Sequence, residues 1–222
     1  MKTDPCAAQR IWPLPRWPYE IRPLRTDAEL AAAAALVEDR ARWMADRGIP
    51  LPPHVAAAFR DTSADAVGLY EYAGDDEEEL AGCLLLHRPL TTQATGEAAT
   101  RSLGISLVHT APGRTLKVGW LITLWAADFA ERIGARRVHA EALSRHAGSD
   151  PTRDPLLEYL CSLGWQVTGS GHPAEGGGRV TRLRLTAQEW EALKAALHCS
   201  VPLQVSTNPA PMGATSPCNR PL

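Results

Sequence analysis

The stretch Leu107-Val108-His109-Thr110-Ala111-Pro112-Gly113-Arg114-Thr115-Leu116-Lys117-Val118-Gly119-Trp120 reads as a strand, a polar loop and the first turn of a helix. The helix shows an apolar stripe at Leu121, Leu124, Trp125 and Phe129, steps of three and four that keep one face against a core. Gly134 stops it, and Val138 to Leu143 reads as another strand. A loop feeding a helix N-terminus gathers backbone N–H groups that no carbonyl of the helix can reach, and such a turn can hold a phosphate. Strand, turn, helix and strand therefore form one unit with a ligand-competent loop.

Working upstream, Glu20 to Leu24 reads as a first strand, and Thr26 or Asp27 caps a helix through about Arg47 that Gly48 ends. Pro52-Pro53 opens a short second helix through Phe59. Val67 to Tyr72 and Leu80 to His87 form an antiparallel hairpin with an acidic connection, Asp75 to Glu79. A polar segment from about Pro89 to Arg101 leads to the strand Ile105 to Thr110. Downstream, a short helix, Leu156 to Leu163, ends at Gly164. Trp165 to Thr168 and Arg179 to Leu185 are strands around the turn Gly176-Gly177-Gly178. Thr186 to Leu197 reads as a terminal helix with an S/T-x-x-E start at Thr186 and Glu189. The order is β-α-α-β-β-β-α-β-α-β-β, an α/β fold with a mixed α+β sheet.

The 222 residues suit one sizeable core. Residues 1–19 read as a proline-rich arm, 20–198 as the domain, and 199–222 as a disordered tail poor in charge. A net charge of −2 and the absence of a basic tract argue against a nucleic-acid partner or an anionic membrane. No apolar run has the length of a membrane span or signal peptide. The five cysteines are widely spaced, with no C-x-x-C pair, which suggests neither a disulfide framework nor a zinc site. A reducing cytoplasm and no bound metal are the expectation.

Two patches then resemble the GNAT acetyltransferase superfamily, over about Ile21 to Leu185. One is the opening stretch, with Val108, Thr110 and Pro112 followed by Arg114-x-x-Lys117-x-Gly119. The other is Leu156-Leu157-Glu158-Tyr159-Leu160-Cys161-Ser162-Leu163-Gly164-Trp165, similar to the family's late helix ending in Gly-Phe or Gly-Trp. The resemblance implies a GNAT-like acyl-CoA N-acyltransferase fold, with acetyl-CoA as acyl donor and a primary amine of a small molecule as acceptor. It implies direct attack in a ternary complex and leaves homodimerisation open. Arg114, Thr115, Leu116, Lys117, Val118, Gly119 and Trp120 would line the pyrophosphate turn. Val108, His109 and Thr110 would offer strand backbone to the pantetheine arm and the thioester carbonyl. Glu141, in the strand flanking the cleft, would accept the amine proton, and Tyr159 is the candidate acid.

The chain departs from the family pattern twice. Lys117 stands where the family usually has its first glycine, and Leu160 where it has the tyrosine credited with protonating the thiolate. These departures keep open a catalytically silent GNAT-fold domain that binds acyl-CoA as a sensor or partner module. A third option is that the two tails mediate assembly with another protein. Each candidate also has a plainer reading. Arg114 is equally an exposed arginine and Lys117 a solvated one, while Trp120 and Tyr159 suit the core. Glu141 suits a solvated strand end, His109 is a packed or solvent histidine, and Cys161 reads as a small buried apolar residue.

Overall fold

The computed structural model describes residues 18–48, 55–60, 65–73, 77–92, 100–143, 154–171 and 180–203. The arm through Trp17, Pro52-Pro53, Asp75-Asp76, Gly176 to Gly178, and the tail from residue 204 lie outside the described residues. Within them the chain runs β1 (Tyr19–Pro23), α1 (Asp27–Ala45), a 3-10 helix (Ala56–Arg60), β2 (Asp65–Ala73), β3 (Glu77–Thr92) and β4 (Thr100–Thr110). It continues with α2 (Thr115–Arg132), β5 (Arg137–Leu143), α3 (Pro155–Ser162), β6 (Gln166–Gly171), β7 (Val180–Thr186), a 3-10 helix (Glu191–Ala195) and β8 (Leu197–Cys199). The strands form one mixed sheet of order β6-β7-β5-β4-β3-β2-β1-β8. No helix among the described residues is long and apolar enough to cross a membrane.

The two sheet faces carry separate cores. On one, α2 buries Val118, Leu121, Ile122, Trp125 and Phe129 against Leu69, Leu84, Leu103, Val138 and Leu183. Trp125 and Phe129 stack at 5.2 Å. The other face packs Leu36 and Val37 of α1 and Phe59 against Ala66, Tyr70, Cys83 and Leu85. The helix starts follow their caps. Thr26 and Glu29 close a reciprocal capping box on α1, and the Asp154 carboxylate accepts the Leu156 N–H on α3. Gly134, at φ 72°, takes the left-handed turn after α2 that a side chain would strain.

Three sequence expectations change. The polar stretch Pro89 to Arg101 is partly sheet: β3 and β4 pair as far as Thr92 with Thr100, so the hairpin reaches well beyond its apolar residues. Backbone pairing and threonine's β preference suffice there without an apolar alternation. The terminal helix Thr186 to Leu197 does not form. Thr186 stays in β7, and the N–H groups of Ala187, Gln188 and Trp190 bond the Arg136 carbonyl, the Ala127 carbonyl and the Asp128 carboxylate. With those donors committed to α2 and its exit loop, the segment makes only one 3-10 turn before β8 lies parallel to β1. Leu193 and Leu197 are buried four residues apart, which mimics a helical stripe.

The domain also extends past both expected limits. Tyr19 opens β1, whereas Cys199 belongs to β8 and accepts the Trp125 Nε1–H at 3.4 Å. The Ser200 N–H bonds the Ile21 carbonyl, and Val201 is buried. A chain ending at His198 is expected to lose about 2 kcal/mol or more of stability, from Val201 burial alone, relative to one ending at Leu203. Urea unfolding of the two truncations measures the difference; equal midpoints would remove β8's end from the core.

Candidate functional site

The site begins with a miscount in β4. Cys83 pairs with His109 and Leu85 with Ser106, so three steps on β4 match two on β3. The extra residue is a β-bulge, and Leu107 within it sits at φ 49°, a left-handed conformation rare outside glycine. On β4's other edge the parallel register with β5 ends at Ile105 and Ala140, while β4 runs on to Thr110 and β5 to Leu143. The strands therefore part just where the bulge turns β4. Val108, 40% exposed, stands in the parted stretch.

β4 then feeds α2 through Ala111 to Arg114, with Gly113 at φ 85° closing the turn. The Ala111 N–H bonds the Ala81 carbonyl, the Arg114 N–H bonds the Ala111 carbonyl, and the Val118 N–H bonds the Arg114 carbonyl. Val118 points into the core, so neither its N–H nor its side chain faces a ligand. Thr115, Leu116 and Lys117 remain as the donors of the first turn. The N-cap Arg114 makes no side-chain capping bond, whereas α1 and α3 are both capped.

The two cations of the loop are turned toward the sheet. The Arg114 guanidinium pairs with Glu71 of β2 and, at 2.7 Å, with Glu79 of β3. Lys117 Nζ lies 3.9 Å from Glu71 and 4.8 Å from the centre of the Tyr19 ring. The Tyr19 hydroxyl donates to Glu71 at 2.6 Å. Neither plain reading, exposed arginine or solvated lysine, describes this network, which joins β1, β2 and β3 to the loop.

The remaining candidates separate. Trp120 is 45% exposed on the outer side of α2 and belongs to neither core. The half-buried Tyr159 places its hydroxyl 3.4 Å from where a Gly119 Cβ would sit, so the space left by that glycine faces the tyrosine. Burial raises the Tyr159 pKa. Leu160 packs against the larger core and Cys161 is exposed rather than buried. The exposed Glu141 of β5 meets Arg182 of β7 at 3.6 Å. Thr110 is buried at the end of β4. Among the described residues, no group of His, Cys, Asp and Glu is gathered to hold a metal ion.

The position of His109 is not legible in the alternation of β4, because the bulge shifts it. It is 8% exposed, edge-on to Phe59 at 6.4 Å, and its Nε2 has no hydrogen-bond partner among the described residues.

No protein-family model matches the sequence, and no curated protein matches it either. Solved structures do match. A GNAT-family acetyltransferase from Listeria monocytogenes 4b F2365 aligns over 76% of this chain and 94% of its own, at 12% identity and a TM-score of 0.51. A chain of the NatC complex bound to Gag peptide and CoA aligns over 77% of this chain and 99% of its own, at 14% identity and a TM-score of 0.50. The fold is that of the GNAT acetyltransferases. At these identities the likeness concerns the path of the chain and not the side chains of the cleft.

Burial, with the Arg40 charge beside it, pushes the His109 pKa down to about 4 from an ordinary value near 6.5. The folded state thus binds its proton more weakly than the unfolded chain does. Its contribution is full above pH 6.5 and is lost as pH falls toward 4, about 3 kcal/mol at roughly 1.4 kcal/mol per pH unit. His109→Leu is expected to flatten the stability profile over that window in urea titrations at several pH values. An unchanged slope would place the histidine in solvent.

Proposed function

We propose that the parted strands β4 and β5 form the cleft of an N-acetyltransferase, which passes an acetyl group from acetyl-CoA to a primary amine on a small acceptor. The observation that carries this reading is the bulge-driven parting of β4 from β5 beside a helix whose N-terminus has no side-chain cap. Such a terminus combines unspent N–H donors with the positive end of the helix dipole, which suits a pyrophosphate.

Acetyl-CoA supplies an activated acyl carbon and a thiolate leaving group. The protein's part is placement and proton handling. The N–H groups of Thr115, Leu116 and Lys117 hold the phosphates. Backbone along Val108, His109 and Thr110 orients the pantetheine arm, and an N–H beyond the bulge polarises the carbonyl that the amine attacks. Glu141 takes the ammonium proton, directly or through a water. Arg114 contributes indirectly: by anchoring to Glu71 and Glu79 it fixes the turn from which α2 starts.

A second reading keeps coenzyme binding without turnover. Tyr159 packs on Gly119, and Leu160 packs in the core, so α3 offers no evident acid to the thiolate. Release of free thiol across a panel of primary amines separates the two readings.

Calorimetric titration with acetyl-CoA is the direct test, and no binding at millimolar concentration removes both readings. Gly119→Ala should be tolerated, since its Cβ would meet Tyr159 at ordinary contact distance. Gly119→Glu displaces that tyrosine and sets a negative charge near the helix start, and is expected to weaken binding by about tenfold or more. Tyr159→Phe is expected to alter turnover only about twofold to threefold, within the scatter of a lost exposed hydrogen bond. A loss of several orders of magnitude would make Tyr159 the acid.

A further inference from the structure

The two faces of the sheet are covered unequally. α2 and α3 lie over one face of β5, β7 and β6, where Val138, Ala142, Thr181, Leu183 and Leu185 are buried. On the opposite face α1 packs on β3 and β4. Beyond its reach the β5–β7 register sets Arg137 beside Thr186, His139 beside Arg184, and Glu141 beside Arg182, all on this one side. Arg137, His139, Glu141 and Arg182 are exposed, and Arg184 is half-buried. Gln166 of β6 extends the row by accepting from Arg184 at 2.9 Å.

The order of charges along this face is directional. Glu141 lies one residue past Ala140, where β5 leaves β4, so a carboxylate stands at the mouth of the cleft. Arg182 adjoins it, and Arg184 and Arg137 follow away from the mouth along the paired portion of β5. Their positive potential is felt locally: burial and the charges of Arg137 and Arg184 together lower the His139 pKa. Residues 137 to 141 span about 13 Å of strand, the length of roughly four residues of extended peptide. A cation therefore suits the mouth and anions suit the lane behind it.

We propose that the open face of β5, β7 and β6 docks the acceptor, and that the acceptor is a short acidic peptide whose free amine lies at Glu141 and whose carboxylates lie along Arg184 and Arg137. The assignment rests on the acyl-transfer reading for what happens at the amine, and on charge complementarity for the rest.

The test uses the full chain and free-amine tetrapeptides with three glutamates, three alanines or three lysines after an N-terminal serine. Calorimetry is expected to show the acidic peptide binding about tenfold tighter than the neutral one, with the lysine peptide weakest. Added salt should shrink the difference. The double variant Arg137→Ala/Arg184→Ala should abolish it, with thermal stability and acetyl-CoA affinity unchanged. Equal binding of the three peptides overturns the proposal, as does an acidic preference that survives the double variant. Stronger arginine-dependent binding of a short oligonucleotide also overturns it. Binding of the acidic peptide through these arginines without acetylated product would leave the docking face standing and remove the transferase reading. Acetylation of neutral and acidic peptides alike would remove the docking face and leave the transferase.

Discussion

One extra residue in β4 organises the cleft. A leucine at φ 49° costs about 1 kcal/mol or more of backbone strain, and the bulge interrupts pairing with β3. The strain persists because the surroundings leave no alternative: Leu107 packs against the core of α1 and Phe59, and pairing resumes at once through Cys83 and His109. Without the bulge, β4 and β5 would continue their ladder past Ile105 and Ala140, and no edge would face a ligand. The parting of these strands, the burial of His109 and the approach of β4 to α2 all follow from that residue.

The rigid partner of the bulge is α2. Val118, Leu121, Trp125 and Phe129 are almost wholly buried, and Asp128 uses its carboxylate to hold the Trp190 N–H. A helix anchored this firmly keeps its N-terminus fixed relative to β4. The anchoring extends to the loop through Arg114, which bridges Glu71 and Glu79, and through Lys117 beside Tyr19 and Glu71. These cations steady the turn from the sheet side, leaving backbone N–H groups as the feature the turn presents. Lys117, at the position of an expected glycine, therefore does not obstruct the loop, since its side chain leads away to β1 and β2.

Much of the fold was legible because local chemistry and tertiary packing agree. Thr26 with Glu29, Gly48, Gly134 and Gly164 mark helix limits by capping and left-handed turns that act within a few residues. The stripe of α2 is legible because one face of it meets one core. The segment after Thr186 was misleading because Leu193 and Leu197 repeat at a helical interval, yet neighbouring backbone and Asp128 capture the donors a helix would need. Trp120 and Cys161 misled in the opposite sense, since apolar type alone does not say which side of a helix meets solvent.

The sequence by itself determined the order of elements, the phosphate-competent turn and the α2 stripe, because caps, glycine turns and periodicity are short-range properties of the chain. Only the tertiary structure decided where β4 parts from β5, since a bulge exists only as a mismatch between two strands. It alone brought Arg114 to Glu71 and Glu79, residues more than thirty positions away, and set Tyr159 against Gly119. It also lined up Arg137, Arg184 and Arg182 on one open face, which strand register controls and no single segment encodes.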